Sequence, residues 1–193
     1  VADFACWLGN AAALVYFSCN FPQLYINFRR RSTVGFSSTF VVMRLFSISF
    51  QVANTAIKNS PFPIRLSGIL LLLTADIYVL QVSFYNHNKP FLLWFLMSFA
   101  VFFISYAWPS TITFTQWILP SFSLISYIPL LYTCYTAGTT LGISVFAQHL
   151  NFLGSILGLL MCLLAHTCTF VNWCFYLIGV IQASMVYIIA IHF

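Results

Sequence analysis

Long apolar runs separated by short polar breaks fill the chain, and seven of the runs are long enough to predict membrane helices. They cover about residues 4–26, 36–57, 64–85, 90–108, 113–135, 141–164 and 170–192. The breaks leave no room for a soluble domain. Polar side chains inside the runs are few: Arg44, Gln51 and Asn54 in the second, Asp76 in the third, Gln148, His149 and Asn151 in the sixth, Asn172 and Gln182 in the seventh. The fourth run, FLLWFLMSFAVFFISYAW, has no strongly polar residue in its middle and is expected to face lipid. Gly9 with Ala11 to Ala13, and Gly154 with Gly158, form small-residue faces on which helices can approach closely. Pro120 and Pro129 predict a bent fifth helix.

Where the first run ends, PQLYINFRRRSTVGFS spans Pro22 to Ser37. Pro22 removes a backbone N–H and frees a carbonyl, which makes a hinge with Gln23 beside it. Gly35 permits a turn, and the hydroxyls around it can cap the next helix. The pattern returns in ISYIPLLYTCYTAGTTLGIS. Pro22 aligns with Pro129, Tyr25 with Tyr132, Thr33 with Thr140, Gly35 with Gly142 and Ser37 with Ser144, all 107 residues apart. Two motifs facing the same side require an even number of crossings between them. That offset fits four spans at roughly 27 residues for each helix and loop. The expected fold is an all-α membrane protein of seven helices, built as two parallel three-helix repeats joined by a linker helix. The expected units are residues 1–86, 87–112 and 113–193.

Composition agrees with a membrane class. Of 193 residues, 62% are hydrophobic and 5% charged, and the mean hydropathy is +0.97. A soluble domain with so few charges could not hydrate its surface. The net charge of +5 therefore reads as a topology signal, and no nucleic-acid partner is expected. Arg29, Arg30, Arg31 and Lys89 on the first and third loops outweigh Lys58 and Arg65 on the second. This places the first loop in the cytoplasm, the N-terminus outside and the C-terminus inside. The six cysteines, mostly within apolar runs and without a CxxC pair, read as small buried hydrophobes. The chain opens on Val1 rather than methionine, which reads as a trimmed terminus.

The two motifs resemble the PQ-loop repeats of the cystinosin, SWEET and KDEL-receptor-like superfamily. The first, with its PQ-x-x-x-NF-RR-x-S-x-x-G-x-S form, is most similar to the cystinosin and lysosomal amino-acid exporter branch. The second departs from the pattern, with Leu130 where the glutamine belongs. The resemblance implies two triple-helix bundles, a substrate held between them near the midplane, and alternating access with Pro22 and Pro129 as hinges. It also implies an acid seven residues beyond the motif's last serine on the sixth helix, for proton coupling. That position is Asn151, which cannot titrate, and its counterpart in the first repeat is Arg44.

The candidate site residues follow. Arg44, Asn151, His149 and Asn54 are expected to line a cavity; for His149, two residues from Asn151 and so on a different helix face, a proton relay stands against the blander interhelical hydrogen bond, and for Asn54 an interfacial position is the alternative. Arg44 and Asp76, at nearly equal depth on antiparallel helices, are expected to form a buried salt bridge, against the reading that Arg44 meets an anionic substrate freely. Two acidic residues in all offer little for acid–base catalysis, so no enzyme, metal site or cofactor is expected. The leading expectation is a solute transporter for a small polar, amino-acid-like metabolite, uncoupled from protons. Its expected place is an internal membrane, lysosomal or vacuolar. The alternative is a non-transporting structural subunit of a larger membrane complex, with a mitochondrial inner membrane conceivable from the 22 phenylalanines. The bilayer, a small solute, and a homo-oligomer or larger complex are the expected partners.

Overall fold

The computed structural model describes residues 2–33, 37–85, 92–137, 144–165 and 168–192. Gly35, Lys89, Thr140 and Gly142 lie outside them. Among the described residues all regular structure is helical: α1 (Ala2–Ser18), α2 (Phe21–Arg30), α3 (Ser38–Ile57), α4 (Phe62–Tyr85), α5 (Leu92–Ala107), α6 (Ile112–Thr115), α7 (Ile118–Ala137), α8 (Val145–Leu164) and α9 (Phe170–His192).

The first expected span is two helices. The chain breaks after α1 and restarts as α2 with Pro22 in its first turn, where a missing N–H has no partner to lose. Asn20 spans the break: its Nδ2 donates to Tyr16 O at 2.9 Å, and its own carbonyl accepts from Leu24 N at 3.0 Å. The α2 helix ends on Arg31 in the left-handed region at φ 48°, with all three arginines exposed. Cations at this end also oppose the negative pole of the helix dipole.

The next helix starts on a side-chain cap. Ser37 Oγ accepts from Phe40 N at 3.3 Å, which satisfies one orphan donor of α3. At the equivalent place in the second repeat, Ser144 Oγ accepts from Ala147 N at 3.2 Å and starts α8.

Among the described residues, five helical stretches are long and apolar enough to cross a membrane: residues 3–30, 38–57, 62–85, 145–164 and 170–192. Residues 93–107 and 109–115 make a sixth if counted together, although they bend by 102° at Trp108–Pro109. The expected fifth span is shorter than predicted, with an apolar stretch at residues 118–129. The bend falls in the break between the fourth and fifth expected runs, where a short helix, α6, precedes α7.

Packing follows the repeat. The α1 helix lies on α8 and α4, α3 lies on α4, α5 and α7, and α8 and α7 both lie on α9. Exchanging the halves turns the α1–α8 contact into the α7–α3 contact, and both are extensive. Small residues set the closest approaches: Gly154 faces the Tyr16 ring and Gly158 the Tyr176 ring. Tyr16 Oη and Ser155 Oγ lie 2.7 Å apart and tie α1 to α8. Most of α5 is exposed, as a helix meeting lipid should be. Cys19 and Cys162 are buried, but Cys6 is exposed, because it lies on the outward face of α1.

Candidate functional site

A cavity lies between the halves, lined by Cys19, Asn20, Gln23, Phe40, Arg44, Tyr78, Tyr127, Ala147, Gln148 and Asn151. Repeat-equivalent positions build it: Asn20 with Tyr127, Phe40 with Ala147, and Arg44 with Asn151 are each 107 residues apart. The Phe40 and Tyr127 rings meet edge to face at 5.5 Å, and the Arg44 guanidinium sits 5.7 Å from the Phe40 centroid. Asn151 donates to Gly179 O at 3.4 Å, which holds α9 against this wall. Gln148 is buried and its Oε1 has no hydrogen-bond partner. The volume is about 40 Å³, room for about three waters.

Separate contacts join the two halves on either side of the cavity. At the motif end Gln23 Oε1 accepts from Ser144 N at 3.0 Å, joining the first motif to the cap of α8. The chain of bonds continues from Gln23 Nε2 to Asn27 Oδ1 at 3.0 Å, from Asn27 Nδ2 to Gln81 Oε1 at 3.0 Å, and from Gln81 Nε2 to Leu24 O at 3.1 Å. At the far end Thr115 Oγ1 donates to Asn54 Oδ1 at 3.1 Å, and Lys58 Nζ donates to Gln116 Oε1 at 2.6 Å. These line a second pocket of about 60 Å³ that also includes Gln51, Thr169 and Asn172.

Three expected placements change. Asn54 lies in the far-end pocket, about 15 Å along α3 from Arg44 by helical rise. His149 is exposed and off both pockets, its Nδ1 2.5 Å from Tyr187 Oη on α9, the interhelical hydrogen bond that was the alternative reading for it. Two residues from Asn151 is about 200° around the helix, so it turns its back on the cavity. The Arg44–Asp76 salt bridge is not formed. Asp76 Oδ1 is buried with no hydrogen-bond partner, while Arg44 shares the cavity with Tyr78. Depth was legible, but direction was not: Asp76 is two residues, again about 200°, from the cavity-facing Tyr78. Arg44→Leu and Asp76→Leu should therefore change stability additively, within about 0.5 kcal/mol. Unfolding of the single and double variants in detergent checks this, and a coupling of 2 kcal/mol or more (about the scale of a buried ion pair) would restore the bridge.

The sequence reading missed Asn20, Tyr78 and Tyr127 at the cavity. The repeat offset alone would have found Tyr127, once Asn20 was marked as the residue two before the motif proline.

Residues 4–64 match the PQ loop repeat family. The chain carries a PQ-loop repeat in a SWEET-like membrane fold. The fold is similar to that of a eukaryotic SWEET transporter at TM-score 0.68, with 12% identity, over 98% of this chain and 96% of that one. In sequence the chain is similar to a cystinosin homolog of Caenorhabditis elegans, 24% identical over 176 residues, which covers 75% of this chain and 44% of that protein. The chain thus spans less than half the length of this curated relative.

Proposed function

We propose that this PQ-loop protein moves a small polar solute across an internal membrane by alternating access. The supporting observation is the cavity between the halves, lined by equivalent positions of both repeats, with hydrogen bonds crossing between the halves on either side of it. With room for about three waters, the cavity must widen before a solute can enter. The break before Pro22 and the proline inside α7, Pro129, are the places where a bundle can swing. The units 1–86, 87–112 and 113–193 are then two rocking bundles and a linker. Arg29 to Arg31 mark the cytoplasmic end, and Asn151 at the coupling position favours transport without a proton.

Reconstitution tests this. Proteoliposomes should take up at least one solute from a panel of amino acids, sugars and small carboxylates, saturably and above protein-free vesicles. The small cavity also favours a second reading, a subunit that has ceased to transport. That reading expects no flux, and co-migration with a large complex at fixed stoichiometry.

A further inference from the structure

The central cavity holds a cation that no acid of this chain can neutralise. The chain has two acidic residues, Asp3 and Asp76. Asp3 lies in the first turn of α1, 16 residues and about 24 Å of helical rise before the cavity residue Cys19. Asp76 faces away, as shown above. Among the described residues, Arg44 shares the cavity with amides, tyrosines and a phenylalanine and with no carboxylate. Arg44 is partly buried, and a charge drawn out of water without a paired acid is costly.

We infer that Arg44 is the fixed cation of the solute site, and that the solute is a small carboxylate without an ammonium group. The inference rests on the transporter reading above and names the substrate class of the same cavity. A guanidinium offers paired N–H donors that match a carboxylate in a bidentate arrangement. Gln148 supplies a second, independent sign of a ligand: it is 6% exposed, and its amide oxygen is unpartnered. Rotation of that amide presents an N–H to the same anion, since the two orientations are close in shape. A zwitterionic amino acid fits less well, because its ammonium would enter a wall with no carboxylate to receive it. A neutral sugar would leave Arg44 uncompensated.

Transport of such an anion past a stationary arginine moves one negative charge per cycle. Pyruvate and alanine test this directly, being alike in carbon skeleton and different in the amine. Purified full chain in proteoliposomes should carry pyruvate at least tenfold faster than alanine. An inside-positive potential should raise pyruvate accumulation tenfold for roughly each 60 mV. Arg44→Gln should lower pyruvate uptake at least tenfold, and Arg44→Lys should restore part of it. If Arg44→Gln fails to fold, the selectivity and the potential dependence of the unmodified protein decide. Alanine or glucose carried in preference to pyruvate overturns the carboxylate inference and leaves the transporter reading standing. Pyruvate uptake indifferent to potential, or to Arg44→Gln, also overturns it. No flux of any solute removes both.

Discussion

Gly158→Leu is expected to destabilise the protein by about 3 kcal/mol or more, the upper range for forcing atoms into a packed interior. A Cβ on Gly158 would lie 2.2 Å from Tyr176 Cε1, 2.3 Å from Cδ1 and 2.7 Å from Cγ. The last is the root of the ring, so no small rotation clears it. Nor is the ring free to leave. Tyr176 is buried and stacked on Tyr16 at 6.2 Å, and Tyr16 is held by Ser155. Relief requires α9 to move off α8, and α1 would follow because it packs on the same helix. Thermal unfolding in detergent should show a fall in Tm on the order of 10 °C. Gly154→Ala is the contrast, because its nearest ring atom is at 3.3 Å and can yield by a few tenths of an ångström. A Gly158→Leu, Tyr176→Ala double variant should recover part of the loss. A Gly158→Leu protein that melts with the parent would show that this approach of α8 and α9 is not held.

What the amino-acid pattern made legible divides along physical lines. A helix crossing hydrocarbon must be long and apolar, so α3, α4, α8 and α9 fell close to the predicted runs. Interruptions inside a span carry no such signature. The break at Cys19–Asn20 sits in sequence that remains apolar on average, whereas the bend before Pro109 falls where the fourth run had already ended. Residue counting gives depth, since every residue adds the same rise, and Arg44 was rightly placed well inside the helix. Direction around the axis is a different quantity. It depends on which face is buried, and α4 is apolar nearly all round, so nothing in LLLLTADIYVL shows that Tyr78 meets the cavity and Asp76 does not. The internal repeat helped where hydropathy could not. An offset of 107 residues paired Arg44 with Asn151 and Ser37 with Ser144, and these equivalences hold as lining residues and as caps. Gln23 has no such partner, because Leu130 stands at its equivalent, so its reach across to Ser144 breaks the symmetry and was not readable.

Removing that asymmetric contact should open the cavity at the motif end. Gln23 is buried, and its Oε1 receives the Ser144 N–H at the start of α8 while its Nε2 holds Asn27. Leucine fills similar space but offers neither group, so Gln23→Leu orphans a buried donor and a buried acceptor. Each such loss costs about 1–3 kcal/mol, and the donor, Ser144 N–H, is left dry only while the end stays shut. Water reaches it once the end opens, so the cost falls selectively on the closed form. A difference of 1.4 kcal/mol is tenfold in population, so motif-end opening should rise roughly tenfold or more. Cys19 is the built-in reporter, buried in the cavity wall with its Sγ 3.0 Å from Tyr16 O. In a background with the other five cysteines replaced by serine, a membrane-impermeant thiol reagent added from the motif side should label Cys19 about tenfold faster in Gln23→Leu. Asn54→Leu with Lys58→Met, which removes the far-end contacts, should do the opposite and expose Cys19 from the other side. Equal labelling of Gln23→Leu and its parent from the motif side would show that Gln23 does not hold that end closed.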